Sequence, residues 1–111
     1  ENKVVIPFEY EGGMKFTEGL AGVSKDGKWG FINKDNEVII PFEYDDAWGF
    51  SEGLAKVKKA GKYGFIDKTG KVIVPFEYDE ATSFSDGSAY VEKGEKKGTI
   101  DKNGVFTPYE D

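Results

Sequence analysis

Two kinds of residue in this chain have the types and spacing to do chemistry. Paired acids stand at Asp45-Asp46 and Asp79-Glu80, and tyrosines follow Phe-Glu at Tyr10, Tyr44 and Tyr78. Two carboxylates at a defined separation, in different environments, could hydrolyse a glycoside, and a run of oxygen ligands could hold calcium. A hydrolase uses one unique pair, whereas these acids recur, and neither stretch has the alternating oxygen ligands of a calcium loop. Both pairs therefore read as solvated turns. The tyrosines, with Glu9, Glu43 and Glu77 beside them, could contact a sugar or a peptide chain. The plainer reading is that each ring covers an edge while its hydroxyl finds a partner. Trp48 differs, because its counterparts one repeat away are Met14 and Thr82, so the repeat does not demand its size. A large aromatic at a tolerant position suits an exposed contact. The candidate ligand or partner contacts are thus Trp48, Tyr10, Tyr44 and Tyr78.

Composition narrows the chemistry further. The chain has neither histidine nor cysteine, which removes the commonest general base, the thiolate nucleophile and the usual transition-metal ligands. No catalytic role, cofactor or metal is expected. A net charge of -6 opposes generic binding to nucleic-acid phosphates and anionic membranes. No apolar run approaches the ~18 residues of a membrane-spanning helix, and no signal peptide is visible. Absence of cysteine fixes no compartment. At 111 residues, with 15% aromatic content to build a core despite 32% charged residues, the chain suits a single folded domain over 1–111.

The elements that must position these residues are announced by a repeat. Pro7, Pro41 and Pro75 are 34 apart, as are Phe16, Phe50 and Phe84, then Gly30, Gly64 and Gly98, then Ile32, Ile66 and Ile100. Units run about 1–34, 35–68 and 69–102, with 103–111 beginning a fourth. The chain opens on Glu1 in mid-repeat, which reads as a fragment of a longer array. Within a unit, Glu52-Gly53, Ala60-Gly61 and Thr69-Gly70 carry the residues of hairpin turns, matched upstream by Glu18-Gly19, Asp26-Gly27 and Asp35-Asn36. Between them Leu54–Lys58, Tyr63–Asp67 and Val72–Phe76 have strand length, with Ala55 and Val57 on one face and Lys56 and Lys58 on the other. A crossing from Tyr78 to Ser85 would make a fourth strand. The fold class is all-β: tandem repeats of about 34 residues, each of three to four short antiparallel strands, arranged as propeller-like blades or as an open ribbon or solenoid. Proline inside Val-Ile-Val-Pro places that strand at a sheet edge or at a bend. The lysines near the hairpin tips, Lys56, Lys58, Lys59, Lys62, Lys93, Lys96 and Lys97, are expected to pair with acids of neighbouring units.

Lys28-Trp29-Gly30-Phe31-Ile32-Asn33-Lys34, then Ile40-Pro41-Phe42-Glu43-Tyr44-Asp45 and Phe50-Ser51-Glu52-Gly53-Leu54-Ala55-Lys56-Val57, resemble the WG-repeat family over nearly the whole chain. The resemblance implies a bacterial, non-catalytic repeat array and transfers no catalytic residue. The last unit departs from the pattern: Lys97 replaces Trp29 and Tyr63, Thr99 replaces Phe31 and Phe65, and Ser88 replaces Leu20 and Leu54. Loss of apolar residues there is what a capping repeat needs. The expectation is a module for protein–protein interaction or scaffolding, with a protein partner; the alternative is carbohydrate or cell-envelope binding through exposed aromatics.

Overall fold

Positive φ angles at the predicted turns set the architecture. The computed structural model of the chain describes residues 12–13 and 16–109, and every regular element among them is a β-strand. Asp26 and Gly27 have φ of 55° and 81°, and Ala60 and Gly61 of 55° and 82°. Left-handed backbone at both central residues matches the twist of antiparallel strands, so each pair closes a tight hairpin. The third turn of a unit uses a side chain as well. Asp67 Oδ1 accepts from the Thr69 and Lys71 N–H groups and from the Thr69 hydroxyl, and Asn33 and Asp101 accept from the same places in their own turns.

The strands form three four-stranded antiparallel meanders. The first contains β1 (Gly12–Gly13), β2 (Ala21–Lys25), β3 (Lys28–Ile32) and β4 (Val38–Tyr44). The second contains β5 (Asp46–Ser51), β6 (Leu54–Lys59), β7 (Lys62–Asp67) and β8 (Val72–Tyr78), and the third β9 (Glu80–Ala81), β10 (Ser88–Lys93), β11 (Lys96–Asp101) and β12 (Phe106–Pro108). Four strands per unit agrees with the sequence, but their boundaries fall elsewhere. The Tyr78–Ser85 segment does not cross back over its own sheet. Tyr78 ends β8, and Glu80–Ala81 pairs with Glu92 and Val91 as the first strand of the next sheet. Phe106–Pro108, in the stretch expected to begin a fourth unit, form β12, the last strand of the third sheet.

Proline and glycine explain the irregular edge of the first two sheets. Pro41 and Pro75 lie in β4 and β8, the edge strands, where a missing N–H costs no ladder bond. The β7–β8 register slips between Tyr63 and Phe65 and again between Phe65 and Ile66. Gly64 sits at that slip. A Cβ there would lie 2.6 Å from the Val74 carbonyl oxygen, and at Gly30 one would lie 2.5 Å from that of Ile40. The recurring glycine is therefore required by close backbone approach at a bulge.

Alternation holds in the middle sheet, and both of its faces are buried. Ala55, Val57 and Ile66 join Phe31, Ile40 and Tyr44 of the first sheet in one core cluster. Phe65, Val74 and Tyr78 point the other way, into a second cluster with Phe84, Ala89, Val91 and Ile100 of the third sheet. The sheets are thus stacked face to face in chain order. Ala21, Val23 and Ile32, on the first sheet's opposite face, form a third cluster with Phe16 and Phe42 packed against it.

Candidate functional site

Three regions could carry a function: the seams between sheets, the surroundings of Trp48, and the forward face of the third sheet. The seams absorb most of the repeated residues. Phe31 meets Phe50 edge-on at 5.0 Å between ring centres, and Phe65 meets Phe84 at 4.9 Å. Tyr44 packs on Phe76 at 5.9 Å and Tyr78 on Phe106 at 6.0 Å. Polar links recur with the same period. Asp45, in the crossing between the first two sheets, binds the Lys28 ammonium at 2.6 Å and accepts from the Ala60 N–H at 2.9 Å, so it ties the hairpin tips of both sheets together. Asp79 does the same for Lys62 and for the Gly94 N–H. Glu18 and Glu52 accept from the Gly53 and Gly87 N–H groups of the following sheet, and Lys59 and Lys93 pair with Glu43 and Glu77.

Magnitudes decide what holds a seam. Each buried Phe, Ile or Val contributes about 1.5–3 kcal/mol, whereas an exposed ion pair contributes about 0–1 kcal/mol. Burial supplies the stability, and the acids fix how one sheet is set against the next. Of the lysines expected to pair, Lys59, Lys62 and Lys93 do so, while the Lys56 ammonium donates to a backbone carbonyl and no ion pair forms at Lys58, Lys96 or Lys97 among the described residues. The acid pairs are not mere solvated turns, since Asp45 and Asp79 each carry two specific bonds. Their electrostatics agree: the hydrogen bond from Lys28, then that from the Ala60 N–H, holds the Asp45 carboxyl below the ordinary carboxylate range, and Lys62 with Gly94 does so for Asp79.

The structure separates the four candidate contacts. Tyr44 and Tyr78 are each 3% exposed, so their rings are core and offer no contact surface. The reason is position: each ends an edge strand that the next sheet covers. Burial, and then the charge of Glu43 or Glu77, raises their hydroxyls above the ordinary value. Tyr10 lies outside the described residues. Trp48 is half-buried, its ring 5.5 Å from that of Tyr63, with the Lys56 ammonium 4.3 Å over its face. That ammonium also donates to the Ala81 carbonyl at 3.0 Å, and burial lowers it below its ordinary value. A cation held by the backbone occupies the ring face on which a sugar would stack.

The forward face of the third sheet is built differently. Lys56 and Phe65, which face forward in the second sheet, become Tyr90 and Thr99. The Tyr90 hydroxyl donates to Glu92 at 2.7 Å, which pushes it up to about 12, and its ring lies 6.1 Å from that of Tyr109. Tyr109 is 57% exposed. At the β10–β11 tip a cleft of about 560 Å³ is lined by Glu95, Lys96, Lys97, Pro108 and Tyr109, beside another of about 480 Å³ lined by Lys93, Glu95, Lys96 and Phe106. Sequence reasoning took Lys97 and Thr99 as marks of a cap, counted Lys96 among the lysines expected to pair with acids, and passed over Tyr109. The available signal was the spacing of Lys28 to Asp45 and of Lys62 to Asp79, which makes Lys96 the third member of a series whose first two are paired.

The family described as WG containing repeat matches residues 1–29, 29–63 and 63–96. No protein with a curated description matches the chain. With three consecutive matches over most of its length, the chain belongs to the WG-repeat family.

Proposed function

We propose that this WG-repeat chain is a non-catalytic module that binds a protein partner or holds one in a scaffold. The observation that supports this reading is the division of labour between repeated and unrepeated residues. Phe31 and Phe65, Asp45 and Asp79, and Glu18 and Glu52 are spent on joining sheets. Where the pattern breaks, at Lys97, Thr99 and Tyr109, the sheet faces outward beside a cleft and an exposed aromatic ring. Exposed aromatics with charged neighbours are the usual anchors of protein contacts. A sequence without histidine or cysteine gives acid–base or nucleophilic catalysis few groups to work with. Carbohydrate binding gains no comparable support, since Lys56 covers Trp48.

The test is affinity capture from a lysate of the source organism, followed by purification of each captured protein and measurement of binary binding. The reading expects at least one partner to bind in the purified pair. It fails if no captured protein does so, or if the purified chain turns over a substrate.

A further inference from the structure

The turn between β11 and β12 contains the only Asn-Gly step in the sequence, Asn103-Gly104. Asp101 Oδ1 accepts from the Asn103 and Val105 N–H groups at 2.9 and 3.0 Å. The Gly104 N–H donates to the Asp101 carbonyl at 2.9 Å, and the Asp101 N–H to the Val105 carbonyl at 3.2 Å. Asn103 is exposed, whereas Gly104 lies against β8, where a Cβ would come 3.0 Å from the Ile73 carbonyl oxygen. Asparagine is a thermolabile residue, and a glycine after it leaves the following backbone nitrogen unshielded by a side chain. The two earlier turns of the series, Asn33-Lys34-Asp35-Asn36 and Asp67-Lys68-Thr69-Gly70, keep the same hydrogen bonds. In all three, the positions of Asp101 and Asn103 carry a single carboxylate between them: Asp35, Asp67 and Asp101.

We propose that Asn103 is a site of spontaneous deamidation whose rate is set by the opening of this turn. The Gly104 nitrogen, having given its proton to solvent base, attacks Cγ of Asn103; the new N–Cγ bond closes a cyclic imide, and the side-chain nitrogen takes up a proton and leaves as ammonia. Water then adds to either imide carbonyl and breaks its bond to nitrogen, leaving an aspartate or an isoaspartate, with nothing oxidised or reduced. The closed turn slows the first step, because the Gly104 proton that must leave is held on the Asp101 carbonyl. Opening frees it. The product sets a second carboxylate beside Asp101, an arrangement that neither earlier turn has at these positions. An isoaspartate also adds a methylene to the backbone between Asp101 and the Val105 N–H that it binds. Conversion therefore loosens the return of the chain into β12.

The experiment incubates the whole 111-residue chain, and beside it a free peptide of residues 99–107, in mildly alkaline buffer. Peptide mapping by mass spectrometry and enzymatic methylation of isoaspartate follow each asparagine. Conversion is expected at Asn103 ahead of Asn33 and Asn36, whose following residues, Lys34 and Glu37, carry side chains. The peptide should convert at least about tenfold faster than the folded chain, the population cost of breaking one or two hydrogen bonds. Urea just below the unfolding midpoint should bring the chain toward the rate of the peptide. Asn103 that stays intact there, or that converts no faster than Asn33 and Asn36, overturns the site. A folded chain that converts as fast as the peptide overturns its control by the turn. The consequence is read by hydrogen exchange: Asn103→Asp should speed exchange of the Val105 amide, and adding Asp101→Asn, which reproduces the pairing of Asn33 with Asp35, should slow it again. Val105 exchange that Asn103→Asp leaves unchanged overturns the loosening.

Discussion

Phe65 and Thr99 stand at the same place in successive sheets, one on the forward side of β7 and the other on that of β11. Phe65 is fully buried and meets Phe84 edge-on across a seam. Thr99 is half-buried, between Tyr90 and Thr107 in the ladder. Strand order is shared, and the two sheets differ in what each must join. A sheet covered on both faces needs apolar side chains on both. The third sheet is apolar behind, with Ala89, Val91 and Ile100, and polar in front. One fold therefore yields a stacking surface or an exposed one through a few substitutions.

Parallel truncation is the strongest way to break that comparison. Phe65→Ala should cost about 3–5 kcal/mol by urea unfolding, the usual loss for a buried phenylalanine, and Thr99→Ala at most about 1 kcal/mol. Equal losses would mean that the two faces are not different. Next in size is Gly64→Ala. Its Cβ would meet a backbone oxygen that cannot turn aside, and overpacking of this kind costs about 1–3 kcal/mol. Gly98→Ala should do the same, since a Cβ there would meet the Thr107 carbonyl. Close backbone approach at this glycine is common to seam and terminal sheets, although the register slips only in the first two, so a loss at Gly64 alone would sharpen the contrast in an unexpected direction.

Smaller effects test the polar links. The Asp79 carboxyl is held low by Lys62 and the Gly94 N–H, so the folded chain ionises this group at lower pH than the unfolded chain does. Its stability contribution is complete above the ordinary aspartate value near 3.9 and disappears as pH falls through the lowered value. Asp79→Asn should reduce stability at neutral pH and flatten the acid limb of the urea midpoint against pH; an unchanged limb would remove Asp79 from the seam. Smallest is the lysine pair. Lys62→Gln should lower the neutral-pH midpoint slightly, and Lys96→Gln should leave it where it was, because among the described residues Lys62 has a carboxylate to lose and Lys96 has none.

How far the sequence reached follows from the same residues. Pro75 placed β8 at an edge because a missing N–H is a local property, and Asp26-Gly27 and Ala60-Gly61 marked hairpins because positive φ is too. The 34-residue spacing carried the repeat. Where one sheet ends and the next begins was not legible, since Glu80-Ala81 pairs with Val91 and Glu92 through hydrogen bonds that no side-chain pattern announces. The same gap misplaced the tyrosines. Tyr44 and Tyr78 look like edge residues within one unit and become core only when the following sheet lies over them. Trp48 was legible as unusual in the repeat, but not as covered, because its lid is Lys56, fixed by a carbonyl in another sheet.

Native-state hydrogen exchange on the unmodified chain compares the two regions without altering either. If the middle sheet is held on both faces and the third on one, the amides of β7 should open only with global unfolding. Those of β11 should exchange measurably faster, through local opening. Equal protection of β7 and β11 would contradict the account.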